Sequence, residues 1–280
     1  MDFAICTIDN KKYKAHEFQK LEESELAYKR RFLQCQCGGS AFFRKASTSG
    51  QAACFGARPH KEGCDLAAQE SETVTGALSD DEKEYFNSGK ELVLDLNFGA
   101  QISRHIDDTD EDNLDNKSRA GHHSNKNGQA PAKSHRRLST ILKALMEDEN
   151  YFNSSNLKID LEGYSYSSKN LFKNFNELTN EYVDDILNNK PNTRRAIWGM
   201  ISDAQLDKKT IESIWINTGG NDTVSILIDE KISKSFLERF KIKELEDLSG
   251  KYILAIGKLN KSKNNKIFLK LQNIAYVTVV

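Results

Sequence analysis

The sequence predicts a multidomain α+β protein that begins with a small cysteine-rich unit and ends in a five-stranded β-barrel. Three observations support this prediction. Four of the five cysteines fall between Cys35 and Cys64, a highly charged segment divides the chain, and five strand-like runs crowd into its last ninety residues. A chain of 280 residues is long enough for two domains.

The composition argues against a membrane-spanning or secreted protein. Hydrophobic residues make up 38% and charged residues 29% of the chain, and no run approaches the roughly 18 apolar residues that cross a membrane. The N-terminus lacks a basic region followed by an apolar one, so we expect no signal peptide and a cytoplasmic, reducing location. In that compartment, paired cysteines bind metal more often than they form disulfides.

The clearest domain boundary is the segment SRHIDDTDEDNLDNKSRAGHHSNKNGQAPAKSHRR at residues 103–137. Its first half is acidic and its second half basic, and it holds too few apolar residues to offset the entropy of ordering them. We therefore predict a disordered linker after an α+β domain over residues 1–102. Within that domain, FAICTI predicts a strand, KAHEFQKLEESELAYKRRFL an amphipathic helix and SAFFRKAS another strand.

Two helices are predicted after the linker. LSTILKALMEDENYF places Leu138, Ile141, Leu142 and Leu145 at helical spacing, and NELTNEYVDDILNN closes just before Pro191. We expect residues 138–190 to be a helical segment that packs on the barrel.

The barrel itself is predicted over residues 191–280. The runs AIWGMIS, SIWIN, TVSILID, KYILAIGKLN and KIFLKLQN alternate with period two, and a helical stretch, KISKSFLERFKIKELEDL, separates the third run from the fourth. A helix at that place is a feature of the five-stranded Greek-key barrel called the OB-fold. Gly199 interrupts the first run, where such barrels have a long, bent strand.

Alternation predicts an aromatic, basic outer face on this barrel. Ile197, Ile201, Ile214, Ile216, Ile267, Leu269 and Leu271 fall on the core side, which leaves Trp198, Trp215 and Phe268 outward. Five lysines accompany these rings: Lys258, Lys261, Lys263, Lys266 and Lys270. From residue 191 onward there are fifteen Lys and Arg and ten Asp and Glu, a net charge of +5. Aromatic rings along a basic track indicate binding of single-stranded nucleic acid. The alternatives are a protein-binding barrel and an outer tryptophan covered by a helix from residues 138–190.

The cysteines predict a metal site. Cys35 and Cys37 precede a glycine pair, and a second group, Cys54, His60 and Cys64, follows a strand. Two such groups can supply the four ligands of a tetrahedral zinc ion, and five residues are candidates for these four positions. A redox pair would need two residues between its cysteines, and a disulfide framework would suit a secreted chain.

The runs FLQCQCGG, AFFRKAS and AACFGARPH resemble the N-terminal zinc-knuckle module of the bacterial competence protein CoiA family, over about residues 32–64. The resemblance implies a structural zinc ion and a role in bacterial DNA processing or defence against foreign DNA. Cys54 and Ala57 stand at two histidine positions of the family's motif, so Cys54 and His60 both remain candidates for the fourth ligand. The favoured set is Cys35, Cys37, His60 and Cys64, with Cys54 as the alternative.

We therefore expect a non-enzymatic protein that binds single-stranded nucleic acid, DNA before RNA, and contains structural zinc. Protein partners and a homo-oligomer are further expectations, with no membrane attachment. The competing hypothesis is a zinc-containing scaffold for protein–protein interaction. A divalent-metal nuclease ranks third, because Lys90, Glu91 and Asp95 on the run KELVLDLNF do not form a complete metal-binding set.

Overall fold

The computed structural model describes residues 1, 3–48, 50–67, 92–94, 134–136, 138–148, 152, 158–161, 164–189, 194–210, 212–219 and 224–280. Most of the predicted linker lies outside the described residues, and so do Lys90, Glu91 and Asp95 of the nuclease hypothesis. The described end of the linker, Ser134–Arg136, is a short strand.

The N-terminal unit is an antiparallel sheet of five strands with two short helices. Its strands are β1 (Phe3–Cys6), β2 (Lys11–Lys14), β3 (Leu33–Gln34), β4 (Ser40–Arg44) and β5 (Cys54–Ala57). They lie in the order β2-β1-β3-β4-β5, so the predicted strands FAICTI and SAFFRKAS are confirmed as β1 and β4. Phe18, Phe43 and Phe55 form the centre of its core, with ring centroids 5.0–5.4 Å apart.

The single helix predicted over residues 14–33 is in fact two helices, α1 (Ala15–Phe18) and α2 (Glu23–Lys29). Phe18 is fully buried in the core. A continuous helix with Phe18 facing the core would carry Glu22 to the same face one turn later. The chain turns between the two helices instead, and α2 buries Leu26.

A middle segment of mixed structure follows. Its elements are β6 (Leu92–Leu94), β7 (Ser134–Arg136), α3 (Leu138–Glu147), β8 (Lys158–Leu161), β9 (Tyr164–Ser167), α4 (Ser168–Leu171), β10 (Phe172–Asn174) and α5 (Asn180–Asn189). Strands β7, β6, β8 and β9 form a sheet in that order. Both predicted helices are present, but residues 138–190 also contain strands and are therefore not purely helical. Among the described residues, no helix is long and apolar enough to cross a membrane.

The C-terminal unit is a closed barrel. It consists of β11 (Arg194–Leu206), β12 (Ile214–Thr218), β13 (Ser225–Ile228), α6 (Glu230–Arg239), β14 (Tyr252–Lys261) and β15 (Ile267–Leu271), with β16 (Val277–Val279) along β14. The barrel strands pair in the order β11-β12-β13-β15-β14, and β14 returns to β11. Among the described barrel strands, the β13–β15 pairing is parallel and the others are antiparallel. This connectivity, with α6 between the third and fourth strands, is the predicted OB-fold.

The first barrel strand bends at Gly199. Its φ of +150° lies in a region that L side chains rarely adopt, and a Cβ there would stand 2.4 Å from the Phe175 ring. A bulge between Ile201 and Asp203 adds to the bend. The 13-residue strand can therefore pair with β14 along its first half and with β12 along its second.

The middle segment packs on the outside of the barrel. Leu142 and Leu145 of α3, with Phe172 of β10, share a buried cluster with Trp198 and Leu254 on the outer faces of β11 and β14. Helix α3 therefore lies against the outer faces of these two strands. The barrel's own core lies on the other side of the same strands.

The N-terminal unit docks on the barrel through two arginines, Arg30, which is buried, and Arg44, which is half-buried. Arg30 donates to Glu246 at 2.5 Å and to the main-chain oxygen of Phe43 at 2.7 Å, and Arg44 donates to the Ser249 oxygen at 2.7 Å. The Arg30 and Glu246 side chains are only 5% and 18% exposed. Buried, bidentate contacts of this kind fix one surface against another in a single orientation. The two units therefore form one continuous structure.

Candidate metal centre and nucleic-acid interface

Four ligand atoms from two loops meet beside the N-terminal sheet. The side chains of Cys35, Cys37, His60 and Cys64 place their ligand atoms within 4.8 Å of one another. The Cys35 and Cys64 sulfurs are 3.8 Å apart, as are the Cys37 sulfur and His60 Nδ1. Ligand atoms around a tetrahedral zinc ion with Zn–S bonds of about 2.3 Å would be separated by about 3.8 Å. The donor set and its spacing therefore fit zinc.

The glycines after Cys37 shape this cluster. Gly38 has φ +79°, and the chain turns back so that the Cys35 N–H donates to the Gly39 oxygen at 2.8 Å. A Cβ on Gly39 would stand 2.4 Å from the Pro59 oxygen. Neither position admits a side chain without strain. The two ligand loops can approach each other because this pair is glycine.

The two N-terminal cysteines have different electrostatic surroundings. The Lys61 N–H donates to the Cys37 sulfur at 3.4 Å. This bond, with those from Gly39 and His60, lowers the pKa of Cys37 to about 6, so this thiol is largely ionised at neutral pH. Burial raises the pKa of Cys35 to about 11. A cation within the cluster would favour the thiolate of both residues.

Cys54 stands apart from the cluster. It is an exposed residue of β5, opposite Arg44 in the sheet. The cluster contains His60 and not Cys54, which agrees with the ligand set that the sequence favours.

Two of the three predicted aromatic rings lie together on the outer face of the barrel. Trp215 on β12 and Phe268 on β15 are half-buried, and their rings meet edge to face with centroids 5.8 Å apart. The rings approach across β13, which lies between their strands. The Trp215 Nε1–H donates to Asp207 at 2.9 Å, which fixes the orientation of the indole.

Trp198 was predicted to be an outward stacking ring, and this prediction is wrong. Its side chain does point away from the barrel core, as alternation requires, but it is 3% exposed beneath the middle segment. Alternation identifies the side of a strand on which a residue lies and carries no information about what covers it. The alternative that a neighbouring helix covers an outer tryptophan applies to Trp198.

The five predicted lysines have three different environments. Lys258 and Lys263 are exposed. Lys261 contacts both carboxylate oxygens of Asp184 at 2.7 Å, and Lys270 pairs with Asp229 at 2.7 Å. The Lys266 ammonium stands 5.3 Å from the Trp215 ring centroid, within cation–π range. Ion pairing therefore reduces the charge available at Lys261 and Lys270, while Lys258 and Lys263 are exposed and Lys266 lies against the Trp215 ring.

A groove of about 430 Å³ runs beside Phe268 along the outer face of β14 and β15. Three cationic side chains line it, those of Arg194, Lys258 and Lys270, and the rings of Phe268 and Tyr276 form part of its walls. The Arg194 guanidinium lies 5.9 Å from the Tyr276 ring centroid. We call this groove, together with Trp215 and Lys266, the aromatic–basic face.

A buried polar network supports the aromatic–basic face. Asn217 donates to Asp203 at 2.8 Å, and Ser225 donates to Asn217 at 2.8 Å. Arg31 of the N-terminal unit donates to the other Asp203 oxygen at 3.2 Å. Asp203, Asn217 and Ser225 are all at most 3% exposed. Such satisfied networks hold neighbouring side chains in one arrangement.

Sequence reasoning did not identify Arg194 and Tyr276 as members of the aromatic–basic face, or Arg31 as a member of the network that supports it. Arg194 lies two residues before the alternating run AIWGMIS, so its place at the start of the first barrel strand could have been inferred. Tyr276 lies in a short turn after the last barrel strand, and Arg31 lies in another unit. Neither residue has a local pattern that connects it with the barrel.

Comparison with known proteins gives no family. No family model matches the chain, and no curated protein matches it. Among solved structures, the chain is similar to the Stn1–Ten1 complex of S. pombe, with 13% identity and a TM-score of 0.24. That match covers 31% of this chain and 57% of the other, so the chain spans less than two thirds of its length. A likeness of this size carries no argument about function, and the resemblance of residues 32–64 to the CoiA family stays a prediction.

Proposed function

We propose that this protein binds single-stranded nucleic acid, DNA in the first instance, on the aromatic–basic face of its barrel. We propose also that a structural zinc ion holds the cysteine cluster together. The pairing of Trp215 and Phe268 beside a cation-lined groove is the observation that carries the first proposal. The four-residue cluster carries the second.

Stacking is the interaction that the rings can offer. Bases of a single strand expose their faces, whereas those of a duplex are stacked on each other, so half-buried rings on an open surface favour the single strand. Phe268 lines the groove, and Trp215 contacts it from the other side of β13. A strand could therefore place successive bases along the groove and over these rings.

The cations beside the rings can neutralise phosphates. Lys258 is exposed in the groove, and Arg194 and Lys270 line the same surface. Lys263 is exposed in the turn between β14 and β15, the loop that corresponds to one of the two ligand-binding loops of OB-folds. Each phosphate neutralised by such a side chain releases counterions, so binding should weaken as salt increases.

The zinc ion would have a structural role. Three sulfurs and one nitrogen complete a tetrahedral shell, which leaves no position for a water molecule to be activated. The residues that would hold it are Cys35, Cys37, His60 and Cys64. The resemblance to the CoiA module supports placing the protein in bacterial DNA processing or defence.

Fluorescence anisotropy of a labelled oligothymidylate tests the binding proposal. We expect binding that weakens strongly between about 50 and 200 mM salt. Phe268→Ala should reduce affinity by about 1–3 kcal/mol, the value of one base–aromatic stack. Tyr164→Ala removes an aromatic ring that is 62% exposed on β9, a strand of another sheet, and that does not line the groove, so it should leave affinity unchanged. An absence of binding at low salt would overturn the proposal and favour a protein-binding scaffold.

A further inference from the structure

A second recess lies between the N-terminal unit and the barrel. This cleft has a volume of about 280 Å³, close to the lower end of pockets that hold small ligands. The N-terminal unit contributes Arg31, Gln34 and Arg58 to its walls, and the barrel contributes Ser202 and Thr218. The two guanidinium groups and the amide suit an anionic ligand that accepts hydrogen bonds, whereas the Thr218 hydroxyl already donates to the Val224 oxygen at 2.9 Å.

The cleft is joined to the aromatic–basic face through Arg31. This residue lines the cleft and also donates to Asp203, which binds Asn217, two residues from Trp215 on β12. Lys266, above the Trp215 ring, lies close enough to Arg31 for the two charges to interact. Burial lowers the pKa of Lys266, and the positive charge of Arg31 lowers that pKa further. Cationic side chains therefore continue from the groove, across Lys266, to Arg58 and to Arg31, whose charge is partly offset by its ion pair with Asp203.

The two walls of the cleft are held in place by the docking contacts. The Tyr252 hydroxyl on the barrel donates to the Arg58 oxygen at 3.2 Å, and Arg30 binds Glu246 near the same junction. Phe42 packs against Gly250, where a Cβ would stand 2.3 Å from the ring. A site between two fixed surfaces needs little reorganisation when its ligand binds.

We propose that a strand bound on the aromatic–basic face continues into this cleft, where Arg31 and Arg58 contact its phosphates. The inference rests on the proposed function, and it adds that the nucleic-acid track spans both folded units. The small volume of the cleft admits about one nucleotide of the strand. The N-terminal unit then extends the binding site, in addition to any structural role of its metal cluster.

A length series of oligothymidylates tests this inference. Strands of about 4 to 16 nucleotides cover the range of site sizes known for one OB-fold. We expect Arg58→Ala to bind the shortest strands as the wild type does and to bind the longest about three- to tenfold more weakly. Its salt slope for long strands should fall by about 0.7, the contribution of one phosphate contact in a single strand. The substitution keeps the main-chain oxygen that Tyr252 contacts.

Lys61→Ala is the matched control. Lys61 is an exposed cation of the same loop and does not line the cleft, so its removal should not change the length dependence. Metal content and thermal unfolding of both variants check that the nearby cysteine cluster is intact. A strand with 4-thiothymidine at successive positions adds a direct measurement, because its photo-crosslinks should reach the peptides containing Arg31 and Arg58 only from one end.

The outcomes separate this inference from the proposed function. If short strands bind but Arg58→Ala matches the wild type at every length, the barrel binds alone and the inference is overturned. A competition experiment gives a second way to overturn it. If thymidine monophosphate or free phosphate abolishes crosslinking to the cleft but leaves the affinity for long strands unchanged, the cleft binds a small anion and does not contribute to strand binding. If no strand of any length binds, the proposed function fails, and this inference fails with it.

Discussion

The cysteine cluster and the aromatic–basic face are built by different parts of the chain. Main-chain geometry assembles the cluster: Gly38 and Gly39 bring two loops together, and four ligand atoms lie within 4.8 Å. Side chains build the face on the barrel, and one of its lysines, Lys270, is already paired with the Asp229 carboxylate. A site of the first kind should be lost as a whole when one member changes. A site of the second kind should weaken by degrees.

Removing one ligand of the cysteine cluster should have a larger effect than any single change on the aromatic–basic face. Cys37→Ser should abolish stoichiometric zinc and destabilise the N-terminal unit, because structural zinc sites contribute about 10–16 kcal/mol of apparent binding energy to folding. Metal analysis of the purified variant and its thermal unfolding measure the two effects. Cys54→Ser changes an exposed thiol outside the cluster and should keep both metal and stability. Loss of zinc in Cys54→Ser but not in Cys37→Ser would contradict the assigned ligand set.

A change at the docking surface tests whether the two units depend on each other. Glu246→Ala leaves the Arg30 guanidinium buried without its carboxylate, and removing one partner of a buried pair costs about 3–5 kcal/mol. We expect urea unfolding at lower concentration, or a separate transition for the N-terminal unit. Glu238→Ala, an exposed acid on α6, is the control. Equal stability of the two variants would show that the arginine contacts contribute little to docking.

These contacts also mark the limit of prediction from the sequence. Side chains alternate along a strand, so the inward isoleucines and the outward Trp215 and Phe268 follow from the pattern alone. The ligand loops are equally local, because cysteines and glycines lie within thirty residues. Arg30 and Glu246 are 216 residues apart and leave no such pattern. The burial of Trp198 likewise depends on α3 and β10, which are distant along the chain.

The gradual response expected of the aromatic–basic face can be measured at one lysine. Lys258 is exposed in the groove, so Lys258→Ala should weaken binding by a few-fold at low salt and reduce the salt slope by about 0.7. Lys234→Ala removes the same charge from an exposed position on α6, outside the groove, and should have little effect. Anisotropy titrations at several salt concentrations give both slopes. An equal reduction in the two variants would mean that net charge, rather than the groove, determines affinity.

The hydrogen bond between Asp207 and Trp215 should make a small, pH-dependent contribution to stability. Hydrogen bonds from Trp215 and Thr210 lower the pKa of Asp207 from 3.8 to about 2. Because the folded pKa lies below the unfolded value, the carboxylate stabilises the fold at pH values above about 4, and this stabilisation is lost as pH falls towards 2. The difference in urea midpoint between the wild type and Asp207→Asn should therefore be largest near pH 5 and shrink towards pH 3. Groups common to both proteins cancel in that difference, so a constant gap would show that the carboxylate charge does not hold the indole in place.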